Sequence, residues 1–318
     1  MWAYRLEGPL RFERHEIDPP AAELLPDGSV LLKFRAGGVC GSDIARCKDA
    51  PPTHAPATFG WSLHEIVGEV VATNADLAVG TRVAGWVGDT TGLREFVPAA
   101  ANQLAEFDET LDDVHAVALQ PLACVLWAMS RLGDVSGARA AVIGLGPIGL
   151  LFAHALRDAG ASPVVGVDTV DRSDVASTFG IDDFVGRTSR VWSRAQQPGG
   201  SFDVVVEAIG HQVGTMDDAI TVTAPDGTLL YFGNPDDDYY PVRFGTLMDR
   251  NITLRAGRTP RQDRRAALER AKAYVATYPR LLDAYVTDVL PITRVQAAYD
   301  KASRPTAGQL KVVLDGSA

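Results

Sequence analysis

Hydrophobic and polar positions change their rhythm twice along the chain. Through the first hundred or so residues, apolar positions fall in short runs punctuated by glycine: Ser29–Ala36 after an Asp27-Gly28 turn, Glu65–Ala72, and Thr81–Val87 after Gly80. Short runs this closely spaced predict a small barrel-like or curled antiparallel unit. A long apolar segment follows, Asp113–Leu132, predicted helical, with Pro121 marking a kink or a second start. Beyond it, apolar runs alternate with helix-compatible stretches. Ala140–Ile143, Val164–Val167, Phe202–Ala208 and Thr228–Phe232 are continuous rather than alternating, the pattern of strands buried on both faces. Leu150, Leu151, Ala153 and Leu156 mark one helix between these runs, and Arg172–Phe179 and Gly214–Thr223 are read as others. The middle of the chain therefore reads as a doubly wound parallel sheet. The tail returns to the opening style, with a helix over Asp263–Tyr278, a strand over Val286–Leu290, a helix near Val295–Ala302 and a last strand over Lys311–Leu314.

Composition narrows the class. A chain of 318 residues suffices for about two domains. A formal net charge of −10 argues against a partner that presents a phosphate backbone, so no nucleic acid is expected. No apolar run approaches the roughly 20 residues that a membrane-spanning helix needs, and Met1–Leu10 carries Arg5 and Glu7 where a signal peptide would be apolar. Cysteines stand only at 40, 47 and 124, too few for a disulfide framework, so a cytoplasmic protein is expected. The basic stretch Arg258–Lys272 reads as a solvated amphipathic helix; Arg258 is the candidate contact should the substrate carry a phosphate.

The run Ala140–Ile143 enters a turn with glycines at 144, 146 and 149 just before a helix. In that setting Gly144 permits the tight turn, Gly146 lets a pyrophosphate approach the backbone, and Gly149 lets helix and strand pack closely. Asp168 stands 24 residues beyond Gly144, at the end of the next run, where an acid would bond a ribose 2′-hydroxyl and repel a 2′-phosphate. Each feature alone also suits a structural turn or a helix cap. Together they favour NAD(H) over NADP(H), with Arg172 the charge nearby that argues the other way. The expected cofactor contacts are Gly144, Gly146, Pro147, Ile148, Gly149 and Asp168, with Gly210 and Gly233 at the next two strand ends.

Two stretches in the first part carry metal-type donors. Cys40, His64 and Glu65 offer a thiolate, an imidazole and a carboxylate, the donor types of a catalytic zinc site with an open position.

Taken in order, Gly38–Asp43 (Gly-Val-Cys-Gly-Ser-Asp), His64–Val70 (His-Glu-Ile-Val-Gly-Glu-Val), Gly80–Val83 (Gly-Thr-Arg-Val), Gln120–Ala123 (Gln-Pro-Leu-Ala) and Gly144–Gly149 (Gly-Leu-Gly-Pro-Ile-Gly) resemble the zinc-dependent medium-chain dehydrogenase/reductase family, which includes alcohol, sorbitol, threonine and glucose dehydrogenases. The resemblance covers essentially the whole chain. It implies an α/β protein in which residues 1–121 and 259–318 form a GroES-like, β-rich catalytic domain. Residues 122–258 would be an inserted Rossmann NAD-binding domain, with the active site in the cleft between the two. Cys40 and His64 match zinc ligands, Glu65 a ligand or alternating ligand, and Gln120 falls where relatives place a Cys, Glu or Asp. Cys124 lies one helical turn from Gln120, where packing is its expected role. Ser42 matches the hydroxyl that passes the substrate proton along, and Asp43 a supporting carboxylate.

The chain also departs from the family pattern. Ala45 and Arg46 stand where many relatives carry a relay histidine, leaving water or the nicotinamide ribose as the proton's exit, with His54 a distant substitute. Leu63 replaces the glycine usual before the His-Glu pair, making Phe59 and Trp61, with Trp86, candidate substrate contacts. The four-cysteine lobe that holds a structural zinc in relatives is missing, so one zinc per subunit is expected.

The implied reaction is zinc-assisted hydride transfer between NAD(H) and a secondary alcohol or ketone, with Ser42, Asp43 and Glu65 as the catalytic set. Gln-Pro-Leu-Ala, where polyol and sugar relatives read Glu-Pro-Leu, tilts the substrate toward a polyol, sugar or cyclitol. The alternative is a metal-independent, NADPH-dependent enone or quinone reductase of the same fold. Relatives suggest a homodimer or homotetramer.

Overall fold

The hairpin β1 (Trp2–Gly8) and β2 (Arg11–Glu16) opens the chain, antiparallel across a turn in which Leu10 takes a positive φ. The computed structural model describes residues 1–49, 59–197 and 199–317. Beyond the hairpin run β3 (Ser29–Val39), helix α1 (Gly41–Asp49), and strands β4 (Glu65–Asn74), β5 (Arg82–Trp86), β6 (Phe96–Ala100) and β7 (Leu104–Glu106). The segment predicted as one helix breaks into α2 (Asp113–Ala116) and α3 (Leu119–Met129). Asp112 caps α2, accepting the N–H of His115, and Pro121 sits in the first turn of α3, where its missing N–H leaves nothing unsatisfied. The second-start reading of Pro121 is the correct one.

Strand and helix then alternate: β8 (Ala140–Ile143), α4 (Pro147–Asp158), β9 (Val164–Asp168), β10 (Asp183–Gly186), α5 (Ser189–Ala195), β11 (Phe202–Glu207), α6 (Val213–Val222), β12 (Thr223–Tyr231), α7 (Phe244–Asp249) and β13 (Thr253–Ala256). The helix expected over Arg172–Phe179 is instead a succession of turns. Asp171 accepts the N–H of Ser173 there, and the Ser, Asp and Thr side chains of this stretch compete with helical bonding. The chain closes with α8 (Arg264–Thr277), α9 (Arg280–Tyr285), β14 (Val286–Pro291), α10 (Val295–Ala302) and β15 (Lys311–Asp315).

These elements form two units. One comprises Met1–Ala123, Pro260–Pro305 and Gln309–Ala318; the other, Cys124–Thr259 and Thr306–Gly308. In the first, a seven-stranded sheet has the order β14-β15-β3-β4-β5-β7, with β6 on the other part of β3. All its pairs are antiparallel except β14–β15. Its core is built on Val30, Leu32, Phe34, Ile66, Val70, Val83, Leu104 and Tyr299. Register matters for function: Gly38 lies opposite Glu65, and Val39 opposite Val312, so β15, β3 and β4 meet at one place.

In the second unit, six parallel strands have the order β10-β9-β8-β11-β12-β13. β8 is buried at every residue, as a central parallel strand covered on both faces must be. The order reverses direction between β8 and β11. In sheets of this kind, ligands bind outside the C-terminal strand ends at such a switch point.

Candidate functional site

Cys40 follows β3 directly, and its carbonyl accepts the N–H groups of Asp43 (3.0 Å) and Ile44 (3.2 Å) as α1 begins. The first turn of α1 thus sets Ser42, half-buried, and Asp43, fully buried, beside the thiol. Asp43 Oδ2 accepts the N–H of Cys40 at 3.1 Å, and Oδ1 lies 2.8 Å from His64 Nδ1. With Nδ1 engaged by Asp43, Nε2 is the ring nitrogen that would serve a metal. Burial works against a charge on this ring, but the neighbouring Asp43 and Cys40 outweigh it and hold its pKa well above the ordinary imidazole value. Cys40, His64 and Glu65 bring one ligand atom each within 4.8 Å of one another.

Glu65 is paired from behind by Lys311, which reaches in from the first residue of β15. The ammonium also donates to the Val39 carbonyl at 3.2 Å. Burial opposes the lysine's charge, but Glu65 and Cys40 prevail, raising its pKa. Gly38 makes the arrangement possible, because a Cβ there would collide with Glu65 Oε2, Val117 and the Lys311 stem. Oε2 of Glu65 is buried and is the oxygen that Lys311 pairs with. A cysteine sulfur, an imidazole nitrogen and a carboxylate oxygen this close together are a donor set that fits zinc.

Gln120 lies buried in the first turn of α3, and Cys124 stands half-buried one turn on, outside the cluster. Beneath the cluster, Cys47 is buried with its thiol 3.5 Å from the Ser62 hydroxyl, and burial pushes its pKa up to about 12. The Tyr299 hydroxyl donates to the Ser62 carbonyl and is itself held well above the ordinary phenol value by burial. Phe59 packs edge-on against His15 (5.4 Å) and under Arg5 (5.7 Å). Trp61 packs on the core of the first unit, and Trp86, 5% exposed, carries the Arg264 guanidinium 5.0 Å above its ring. His54 falls outside the described residues. A second donor grouping, Glu7, Glu13 and His15, lies on the opening hairpin, where Glu7 already pairs with Arg5 and His15.

In the second unit the glycine turn has the expected form. Gly144 takes φ +90°, and a Cβ on Gly149 would overlap the Gly144 carbonyl. Gly146 is the N-cap of α4 and Pro147 its first residue, while Gly146, Pro147 and Ile148 are all half-buried. Nothing lies within 4 Å of a Cβ built on Gly146. Asp168 stands at the end of β9. Its Oδ2 accepts the N–H of Leu145 (2.6 Å) and its Oδ1 that of Val170 (2.8 Å), so the acid also braces the turn. Arg172 is 1% exposed and donates to the Thr306 carbonyl at 3.1 Å. Gly210 and Gly233 stand face to face at the ends of β11 and β12.

Residues 26–106 match the alcohol dehydrogenase GroES-like domain, and residues 147–273 the zinc-binding dehydrogenase domain. A D-altritol 5-dehydrogenase of Agrobacterium fabrum is 31% identical across 67% of this chain and 71% of its own. The chain belongs to the zinc-type medium-chain dehydrogenases/reductases.

A probable zinc-binding alcohol dehydrogenase of Mycobacterium tuberculosis is 28% identical to this medium-chain dehydrogenase over 91% of the chain and 82% of its own length. A putative zinc-binding dehydrogenase of Sinorhizobium meliloti, solved bound to NADP, shares the fold with a TM-score of 0.79 at 24% identity, covering 99% of this chain and 98% of that one. Membership in this dehydrogenase family, with relatives named as butanediol and L-idonate dehydrogenases, makes the chain an oxidoreductase.

Sequence reasoning did not single out Lys311 or Glu207 in this dehydrogenase. Lysine at a strand start reads as a solvated edge charge, and an acid at the end of an apolar run reads as the strand's exit to solvent. Here one is 2% and the other 0% exposed.

Proposed function

We propose that the chain is a zinc-dependent, NAD(H)-linked dehydrogenase of a secondary alcohol, of polyol, sugar or cyclitol type. The observation that carries this reading is the convergence of Cys40, His64 and Glu65 within 4.8 Å, with Asp43 fixing His64 from behind. A metal-free enone or quinone reductase would have no use for that constellation. A zinc ion held by Cys40, His64 and Glu65, with the Gln120 amide oxygen as the candidate fourth donor, supplies Lewis acidity toward a substrate hydroxyl, while the nicotinamide supplies hydride exchange.

The chain's own residues do the rest. Ser42 Oγ, two residues beyond Cys40, takes the hydroxyl proton and hands it toward solvent, since Ala45 and Arg46 provide no imidazole relay. Asp43 keeps the His64 proton on Nδ1, so Nε2 remains a donor. The turn at Gly144–Gly149 receives the pyrophosphate at the start of α4, where free N–H groups and the helix dipole favour an anion. Asp168 disfavours a 2′-phosphate, and Arg172, buried and donating to the Thr306 carbonyl, is withdrawn from solvent, which supports NAD(H). The relative named for D-altritol supports a polyol substrate.

Metal analysis of the purified protein, followed by chelator treatment during NAD reduction on a panel of polyols and cyclitols, tests the reading. One zinc per chain and loss of turnover on chelation are expected. Undiminished turnover without metal would overturn it.

A further inference from the structure

Glu207 ends β11 as a fully buried acid. Its Oε1 accepts three hydrogen bonds: from the N–H of Ile209 (3.1 Å), the N–H of Gly210 (3.0 Å) and the hydroxyl of Thr215 in α6 (2.8 Å). Its backbone carbonyl accepts the N–H groups of Phe232 (2.8 Å) and Gly233 (3.1 Å), just past β12. One residue therefore ties together the turn after β11, the first turn of α6 and the exit of β12.

Gly210 is gripped from its other side as well. Its carbonyl accepts the hydroxyl of Tyr231 (2.8 Å) and lies 2.7 Å from that of Tyr240, whose single proton it shares with the Asp236 carboxylate, and a Cβ on either Gly210 or Gly233 would overlap the other's backbone. Oε2 of Glu207 is buried without a partner, and burial raises the carboxyl's pKa against the pull of its three donors. What the acid contributes to its three donors is an acceptor at Oε1. Of the two backbone donors, Ile209 also packs against Gly144, whereas Gly210 meets Gly233 and the two tyrosines.

Their position in the sheet says what they are for. On the β8–β9 side of the switch point, the glycine turn and Asp168 serve the pyrophosphate and the adenosine. The β11–β12 side is then left for the second mononucleotide of a dinucleotide. Resting on the dinucleotide reading above, we propose that Glu207 is a positioning residue for the nicotinamide half of the cofactor. By clamping Gly210 against Gly233 it shapes the ledge on which that half sits.

The test is titration of the full-length protein with NADH and, separately, with ADP as a probe of the adenosine half alone. Glu207→Leu removes the acceptor and should weaken NADH binding about tenfold, the loss of roughly one well-made hydrogen bond to a buried donor, while leaving ADP binding unchanged. Glu207→Gln keeps a carbonyl oxygen in place and should restore NADH affinity. Tyr240→Phe, at a half-buried residue that folding tolerates, removes one hydroxyl from Gly210 and should give the same selective loss at roughly threefold. Equal loss of NADH and ADP in Glu207→Leu, no loss in it or in Tyr240→Phe, or failure of Glu207→Gln to restore binding would overturn the proposal. Wild-type protein that binds neither ligand would instead remove the dinucleotide reading on which it rests.

Discussion

Lys311 and Glu65 meet as an ion pair with both side chains out of solvent, 2% and 1% exposed, although 245 residues separate them in the chain. A buried pair contributes little over an apolar pair of the same shape, but removing one partner strands the other's charge, at a cost of about 3–5 kcal/mol. Lys311→Met should therefore lower the stability of the first unit by that order in metal-free protein. Lys311→Met combined with Glu65→Gln, which strands no charge, should recover most of the loss. Urea unfolding of the variants measures both. A Lys311→Met protein as stable as wild type would show that the pair does not hold in solution.

In the proposed zinc site Asp43 would act through His64, whose Nδ1 it engages at 2.8 Å while also accepting the Cys40 N–H. Removing such a supporting carboxylate ordinarily weakens metal affinity about 10- to 100-fold. Asp43→Asn should do so here, read by competition against a chromophoric chelator. Unchanged affinity would mean that the imidazole needs no such anchor.

The glycines of the cofactor turn separate into two kinds. A Cβ on Gly149 would overlap the Gly144 carbonyl, a backbone atom that cannot step aside, whereas a Cβ on Gly146 meets nothing within 4 Å and Gly146 has a negative φ of −67°. The fold needs a bare backbone at Gly149; at Gly146 it is the proposed pyrophosphate contact that would need it. Gly149→Ala should lower the melting temperature and NADH binding together. Gly146→Ala should melt like wild type and bind NADH at least tenfold more weakly, about 1.4 kcal/mol. Full NADH affinity in Gly146→Ala would remove the pyrophosphate from that turn.

How much of this was legible in the sequence follows from how local each feature is. The glycine turn and the buried strands of the parallel sheet are written in consecutive residues, and so is the restart of the helix at Pro121. Cys40, His64 and Glu65 could be grouped by donor type and by the family resemblance, but their meeting depends on the register that sets Gly38 opposite Glu65. Lys311 arrives through a second register, Val39 opposite Val312, and no local pattern announces it. At Arg172–Phe179 the apolar spacing suggested a helix, yet short polar side chains bonding to the backbone won. Asp168 was read for its charge toward a ribose. Its bonds to Leu145 and Val170 show an acid that shapes the turn as well.

Glu207 also gives stability a pH dependence with a definite sign. Burial holds its carboxyl above the ordinary glutamate value, so the folded chain keeps this proton more tightly than the unfolded chain does. The stabilisation from that proton is complete below the unfolded value and is lost as pH rises through the folded value, each tenfold displacement of the equilibrium being worth about 1.4 kcal/mol. Glu207→Gln cannot ionise and escapes the loss. Asp236, His211 and the other neighbouring groups are common to both proteins, so the difference between them isolates position 207. Melting curves of wild type and Glu207→Gln, taken from about pH 4 to about pH 8, should run close together at the acid end. They should separate in the variant's favour as pH rises. Curves that stay parallel across that range would place the Glu207 carboxyl in contact with water, and with it the anchor of the Gly210 turn.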